Sequence, residues 1–542
     1  MPPPPRRSGA LLVALGILLS RLAGLVRQRV FGHYLSLDAE ADAYNAAFKI
    51  PNFLQNLLGE GVLSASFIPV YAQLRARAGF SAEENEREAR QLASAVFGLL
   101  ALTTSLLCLG GLFATPWLID AIAPGFTGEK RLLTIRLVQI FFPGIGLLVL
   151  SAFCIGVLNS HHRFFLSYAA PVVWSAAQIA ALVFGGTRPG HTAPQIAVWA
   201  AWGSVLGAAL QLALQAPLVL RLLGGAGRGG FLPTLGRGSP NTAEVVKNFL
   251  PVVAGRGVVQ LSAYLDSFIA SWLPTGAVAA LAYAQTLYLL PVSLFGMSVS
   301  AAALPGMSAA QGAPGDEARE ALRTQLAAGL RTIAYPVIPS VVALLALGDV
   351  ACAALFRSGR FGDDQVAYVA MILAGSTIGL LATTQARLYS SAFYALKDTR
   401  TPLRYATLRV LITGALGLLF GLWLPGALGL DRELGAVGLT ATAGVAGWLE
   451  FLLLRRGISA RVGDAALPAR LQLELWGAAA LAGAAGVAAR SASAFFPWPL
   501  RHPVPRAALV FGVFGAVYLV ATSVLGVPEA RGMLRRLRIL RG

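Results

Sequence analysis

Apolar stretches about as long as a bilayer's hydrocarbon core recur from one end of the chain to the other, and this repetition restricts the fold more than any other feature. They fall near residues 9–32, 41–72, 92–119, 132–158, 164–185, 193–221, 248–272, 276–308, 325–356, 366–396, 403–425, 435–455, 471–490 and 505–527. Backbone in lipid must satisfy its own polar groups, so a chain of this kind folds as a bundle of helices. The pattern predicts an all-α polytopic membrane protein with about fourteen transmembrane helices. Composition agrees, since 56% of the 542 residues are hydrophobic and only 13% are charged. Arg6 and Arg7 precede the first apolar stretch as they would in a signal peptide, but no small-residue cleavage pattern closes it, and residues 1–24 are read as part of a retained span.

A net charge of +18 would suit a polyanionic partner, yet the basic residues alternate with the spans. With the N-terminus inside, one side collects Arg75, Arg77, Arg87, Arg90, Arg163, Arg221, Lys247, Lys397, Arg400, Arg404, Arg455, Arg456 and the tail from Arg531 to Arg541. The other side keeps mainly Lys130, Arg131, Arg188, Arg357, Arg360, Arg432, Arg501 and Arg506. This asymmetry predicts a multi-pass protein with both termini cytoplasmic, and it argues against nucleic acid as a partner. Cys108, Cys154 and Cys352 lie in apolar spans without CxxC spacing, so they are read as packing residues and no metal site is expected. None of the four lysines, Lys49, Lys130, Lys247 and Lys397, follows a glycine, which excludes a phosphate loop for ATP. No G-x-S-x-G elbow or H-E-x-x-H helix is present either, so neither an enzyme nor a cofactor is expected.

The charges that remain inside the spans are the informative ones, because charge in lipid is costly and usually functional. Arg21, Arg27, Asp42, Lys49 and Glu60 fall within the first two apolar segments, Arg256 and Asp266 within the seventh, and Arg387 within the tenth. Together they read as the lining of a polar cavity. Arg21 and Arg27 are separated by about 120° around a straight helix and about 9 Å along it, so meeting on one ligand requires a bend, for which Gly24 is available. Arg256 and Asp266 lie about 15 Å apart on such a helix and need separate partners. Asp266 is a candidate either to orient an arginine of the first half or to hold a coupling cation such as sodium. Blander roles stand beside these. Arg27 and Arg29 can snorkel to a helix end, Asp42 can serve as a helix-start carboxylate, and Lys49 and Glu60 can pair. Arg256 can anchor its helix, and Arg387 can hold backbone or a carboxylate.

Fragments of the first half recur in the second. Ala43-Tyr44 before Pro51 resembles Ala282-Tyr283 before Pro291, Ser64 to Pro69 resembles Ser300 to Pro305, and Leu158 before Tyr168 resembles Leu396 before Tyr405, all at offsets of 236–240 residues. The repeat predicts two parallel, pseudo-symmetric six-helix lobes, as in many transporters. The expected layout is an N-lobe over 1–223, a glycine-rich cytoplasmic linker over 224–247, a C-lobe over 248–460, and two further helices with a basic tail over 461–542.

Several blocks carry a family resemblance. Ser20-Arg21 with Gly24 and Arg27, Ala41 to Tyr44, Phe48-Lys49-Ile50-Pro51-Asn52, Gly59-Glu60-Gly61, Ala123-Pro124-Gly125-Phe126, and Phe393 to Pro402 are similar to the MurJ (MviN) lipid II flippases. The resemblance implies a multidrug/oligosaccharidyl-lipid/polysaccharide exporter fold, with a cationic cavity between the lobes and two C-terminal helices forming a lipid-facing groove. It implies a flippase of the bacterial cytoplasmic (inner) membrane that acts in peptidoglycan synthesis, and so in cell wall biogenesis and cell shape. The substrate implied is undecaprenyl-pyrophosphate-linked peptidoglycan precursor (lipid II), moved to the outer leaflet by a monomer amid membrane lipids. By matching positions, Arg21 and Arg27 are the family's first-helix arginines and Asp42 its second-helix aspartate. Guanidinium suits pyrophosphate because it stays charged and binds phosphate oxygens bidentately. Two departures stand out: Gln55 and Asn56 occupy a place where the family commonly carries arginine, as does Thr286 after Tyr283-Ala284-Gln285. Arg256 and Arg387 are the candidate replacements. Flippases for other lipid-linked oligosaccharides and cation-coupled multidrug exporters share the fold, and a membrane glycosyl or phosphoryl transferase is the enzymatic rival.

Overall fold

A computed structural model describes residues 7–224, 230–236, 238–310, 315–495 and 502–532. The side chains of two candidate residues, Glu60 and Arg256, lie outside the described residues, as do parts of the 224–247 segment. The described residues form helices and no β-strand. Among the described residues eleven helices are both long and apolar enough to cross a membrane, or twelve with the bent pair Asp363–Thr377 and Leu380–Ala395. Helices Arg7–Leu35 and Pro240–Ala270 have the length as well, at 29 and 31 residues, and these are the segments that carry arginine and aspartate.

The chain forms two compact units. Unit 1 reaches Val278, with residues 358–360 added, and holds α1 (Arg7–Leu35), α2 (Ala39–Leu58), α3 (Glu60–Arg75), α4 (Ala82–Ile122), α5 (Gly128–Ser160), α6 (Phe164–Thr187), α7 (Ala193–Leu222) and α8 (Pro240–Ala270). Within it α5 packs on α2, α4 and α7, while α6 packs on α1 and α7. Helix α8 rests on α2, α3 and α4, so the segment expected to open the second lobe packs with the first six spans. The core at one end is aromatic, with Phe67, Tyr71 and Phe153 fully enclosed.

Unit 2 contains α9 (Ala277–Pro291), α10 (Ser298–Ala310), α11 (Gly315–Phe356), α12 (Asp363–Thr377), α13 (Leu380–Ala395), α14 (Arg400–Leu418), α15 (Leu424–Ala427), α16 (Leu434–Val462), α17 (Ala469–Ala492) and α18 (Pro503–Val524). Helix α11 is its axis, packed by α10, α12, α13, α17 and α18. The C-terminal pair is tied to that axis by Tyr518, whose hydroxyl donates to the Tyr335 carbonyl at 2.7 Å. Leu473, Leu481, Val520 and Val524 project from this pair as exposed apolar side chains, the surface a helix presents to lipid.

The internal repeat is visible in hydrogen bonds. Helix α5 ends with the Arg163 amide donating to the Leu158 carbonyl at 2.8 Å, and α13 ends with the Asp398 amide donating to the Phe393 carbonyl at 2.9 Å. In both, the preceding residue is left-handed without being glycine, His162 at φ 58° and Lys397 at φ 60°. These paired residues lie 235 apart, so the equivalent of Leu158 is Phe393, and the alignment of Leu158 with Leu396 was three residues out of register. The second span of each repeat is broken. Gly59 separates α2 from α3, and a π-helical turn over Val292–Met297 separates α9 from α10.

The turn after α13 is fixed by Asp398. Its carboxylate accepts from the Thr401 hydroxyl at 2.7 Å, from the Thr401 amide at 3.0 Å and from Arg461 at 2.6 Å. The Thr401 hydroxyl and amide, with Arg461, hold the carboxyl well below the usual range. Because the folded-state pKa is depressed, its contribution to stability is present above the ordinary carboxylate value of about 3.9 and is lost as pH falls towards the folded value. Asp398→Asn is therefore expected to melt at a lower temperature than wild type at neutral pH. The gap should narrow in scans below about pH 4, and a gap independent of pH would contradict the assignment.

Candidate functional site

A cavity of about 560 Å³ in unit 1 has Arg27 in its wall. The Arg27 guanidinium lies over the Trp174 ring, 4.6 Å from its centroid, which gives the cation an aromatic face, and no carboxylate forms an ion pair with it among the described residues. The remaining polar lining is neutral: Asn52, Gln55 and Asn56 from α2 and Gln211 from α7. Gln211 is held by a buried chain in which its amide donates to Ser151 Oγ at 2.8 Å and that hydroxyl donates to Gln215 at 2.6 Å. A smaller recess beside Arg27 is lined by Tyr44, Asn45 and Gln178. Tyr44 donates to Gln178 Oε1 at 3.2 Å, and the buried Gln178 Nε2 has no partner among the described residues.

The local sequence explains the shape. At Gly59 a Cβ would stand 2.3 Å from the Gln55 carbonyl oxygen, so only glycine allows α2 to end and α3 to start there. The break places Gly61 in the cavity wall, next to the carboxamides of Gln55 and Asn56. These two positions, noted as departures from the arginine pattern, thus face the same space as Arg27.

Asp42 and Lys49 mark two other levels of α2. Asp42, 1% exposed, pairs with Lys130 Nζ at 2.6 Å and accepts the Gly276 amide at 2.7 Å. Lys130 also lies 4.1 Å from the centroid of Phe126, so the Ala41–Tyr44 and Ala123–Phe126 blocks meet here. Lys49 donates to Ser267 Oγ, and its carbonyl accepts from the Tyr264 hydroxyl at 2.7 Å. Asp266 acts on Lys49 electrostatically, which supplies the ammonium with a carboxylate on α8. Arg21 is exposed and is not in the wall of the Arg27 cavity. Arg387 is exposed on α13 in unit 2, near the ion pair of Arg409 with Glu450 at 3.1 Å. Trp174, Gln178 and Gln211 were not anticipated as site residues. Their signal was amide and indole groups inside apolar spans, with Trp174 and Gln178 one helical turn apart.

The bundle and its polar cavity define a multi-span transporter of the exporter type, and solved structures agree. A lipid II flippase MurJ in an inward closed conformation superposes with a TM-score of 0.74 at 23% identity, covering 95% of this chain and 98% of that one. An inward-facing multidrug resistance MATE family transporter of the MOP superfamily gives 0.63 at 19% identity, covering 83% and 98%. Residues 31–500 match the sequence model of the family described as lipid II flippase MurJ. The lipid II flippase MurJ of Burkholderia cenocepacia is 31% identical over 455 residues, 83% of this chain and 84% of that one. A probable lipid II flippase MurJ of Rhizobium meliloti is 31% identical over 440 residues, 80% and 77% of the two chains. The chain belongs to the MurJ family.

Removing either partner of a largely buried ion pair leaves the other uncompensated, at a cost of about 3–5 kcal/mol. Asp42→Asn and Lys130→Met are each expected to lower the melting temperature markedly, and the double variant to lower it by less than the sum of the two. Additive losses would show that the two groups act independently.

Proposed function

We propose that this protein translocates lipid II, the undecaprenyl-pyrophosphate-linked peptidoglycan precursor, from the inner to the outer leaflet of the bacterial cytoplasmic membrane by alternating access. The observation that carries this reading is Arg27, a guanidinium inside a cavity of about 560 Å³, in a chain whose relatives are named lipid II flippases. A phosphate in such a place can exchange water for a bidentate guanidinium contact and for the donors of Asn52, Gln55, Asn56 and Gln211. Arg27 holds the anionic group and Trp174 orients Arg27. Arg21, Glu60, Arg256 and Arg387 act elsewhere along the path of the headgroup.

In this reading the protein is a transporter that makes and breaks no covalent bond, works as a monomer, uses no ATP and keeps both termini in the cytoplasm. Asp266 on α8 acts electrostatically on Lys49 of α2, and a coupling cation such as sodium competes with the ammonium for the Asp266 carboxylate. Sodium-independent flipping by purified protein would remove that coupling role. Exporters of other lipid-linked oligosaccharides share the fold, and the replacement of arginine by Gln55 and Asn56 is the feature that bears on the choice of headgroup.

The decisive test is replacement of a host's essential lipid II flippase by this chain. Growth and wall synthesis are expected to be restored, whereas failure at normal membrane expression would point to a different lipid-linked saccharide. Arg27→Ala should then lower flipping by about tenfold or more, because charge-assisted hydrogen bonds contribute about 1.5–3 kcal/mol. Arg27→Lys should recover only part, since it lacks the planar fork. Wild-type flipping by folded Arg27→Ala would make this arginine a helix-end anchor.

A further inference from the structure

Unit 2 contains a second charged cavity unrelated to Arg27. It encloses about 220 Å³ where α11 ends and α12 and α18 begin, and its walls carry Asp349, Arg357, Asp363 and Arg506. Because these are the ends of spanning helices, the cavity lies at the level of lipid headgroups.

The four groups differ in how firmly they are held. Arg506 is oriented from behind, with Nε donating to Ser493 Oγ at 2.9 Å and Nη2 to the Arg490 carbonyl at 3.1 Å, and no carboxylate pairs with it among the described residues. Asp349 is steadied by Arg490 at 2.9 Å. Arg357 and Asp363 pair at 3.0 Å, but their side chains are 44% and 73% exposed, and an exposed pair of this kind contributes little and exchanges partners readily. Because Arg490 holds both oxygens of Asp349, the groups left to a ligand are two guanidiniums and the Asp363 carboxylate, a set that complements a phosphodiester carrying an ammonium. The N-terminus of α18 adds a partial positive charge on the guanidinium side.

Size and surroundings narrow the ligand. At about 30 Å³ per water the cavity has room for about seven waters, close to the bulk of a group of roughly eight non-hydrogen atoms such as phosphoethanolamine. Val350, Ala353, Val366 and Ala367 supply the apolar part of its wall, and Val504, next in the chain to the lining residue Pro503, is 47% exposed, an apolar side chain for the chains that such a headgroup carries. We propose that this cavity binds the phosphoethanolamine headgroup of a membrane phospholipid, with the phosphodiester on Arg506 and Arg357 and the ammonium on Asp363.

Native mass spectrometry of the delipidated full-length protein tests this, with phosphatidylethanolamine, phosphatidylglycerol and phosphatidylcholine of identical chains titrated separately. Phosphatidylethanolamine is expected to bind at the lowest concentration, because only it offers both a phosphodiester and an N–H donor. Arg506→Gln should weaken it by about tenfold, the loss of one charge-assisted contact. Asp363→Asn should weaken phosphatidylethanolamine and leave phosphatidylglycerol unchanged. Equal binding of the three lipids would overturn the proposal. So would unchanged phosphatidylethanolamine binding in Arg506→Gln or, where that variant does not fold, in both Arg357→Gln and Asp363→Asn, which alter only an exposed pair. Glycerophosphoethanolamine, which lacks the chains, should compete only weakly. Competition as strong as that of the lipid would assign the cavity to a soluble phosphodiester and refute a membrane role.

Discussion

The arrangement of unit 1 depends on how one enclosed carboxylate is neutralised. An ionised aspartate in an apolar bundle costs several kcal/mol unless its lone pairs are met, and Asp42 is met from two directions at once. Lys130 arrives from the start of α5, and the Gly276 amide arrives from the segment that follows α8. These contacts fix the beginning of α2 against two separate stretches of chain. Further along α2, Lys49 repeats the device with Ser267 and Tyr264 of α8. Between them the two sites set the rotation of α2, and that rotation determines which later residues of α2 meet the cavity. Asn52, Gln55 and Asn56 do so as a consequence.

A cavity with one guanidinium and several carboxamides differs physically from one lined by several cations. Charge–charge attraction grows as the surroundings lose water, so each added arginine tightens the hold on a phosphate steeply. Carboxamides offer comparable hydrogen-bond donors with far less attraction at a distance. A carrier must release what it binds, and a site that is favourable to enter yet weak enough to leave satisfies both demands. In the proposed reading Arg27 over Trp174 supplies direction and charge, and Gln55, Asn56 and Gln211 supply replaceable donors in place of water.

Much of this was legible in the chain. Span length and apolar composition predicted the helical bundle, and the in-membrane charges pointed to α1 and α2, where Arg27 does line a cavity. Less legible were features that depend on which helix faces which. Arg21 and Arg27 looked alike in sequence, but about 120° of rotation separates an exposed arginine from one in the cavity wall. Lys130 read as one more basic residue in a loop, because nothing local marks it as the partner of a residue 88 positions earlier. The repeat was found at nearly the right offset, yet identical leucines drew Leu158 to Leu396. Backbone hydrogen bonds, which ignore side-chain identity, pair it with Phe393 instead.

Those backbone patterns also show that the two repeats break their second span by different chemistry. In unit 1 the break is a glycine against a carbonyl oxygen, and the turn that follows contributes Gly61 to the cavity wall. In unit 2 the break is a π-helical turn whose Gly296 lies against Thr384 of α13, where a Cβ would stand 2.5 Å from the threonine methyl. A π-turn keeps its backbone groups bonded within the helix, so it bends a span without presenting amides or carbonyls to a ligand. A glycine break frees such groups, and irregular backbone at membrane depth is tolerated where it lines a polar cavity. The same position in the repeat is therefore part of a cavity wall in unit 1 and a packed bend in unit 2. Duplication preserved the place where the helix yields, and the two halves divided its uses.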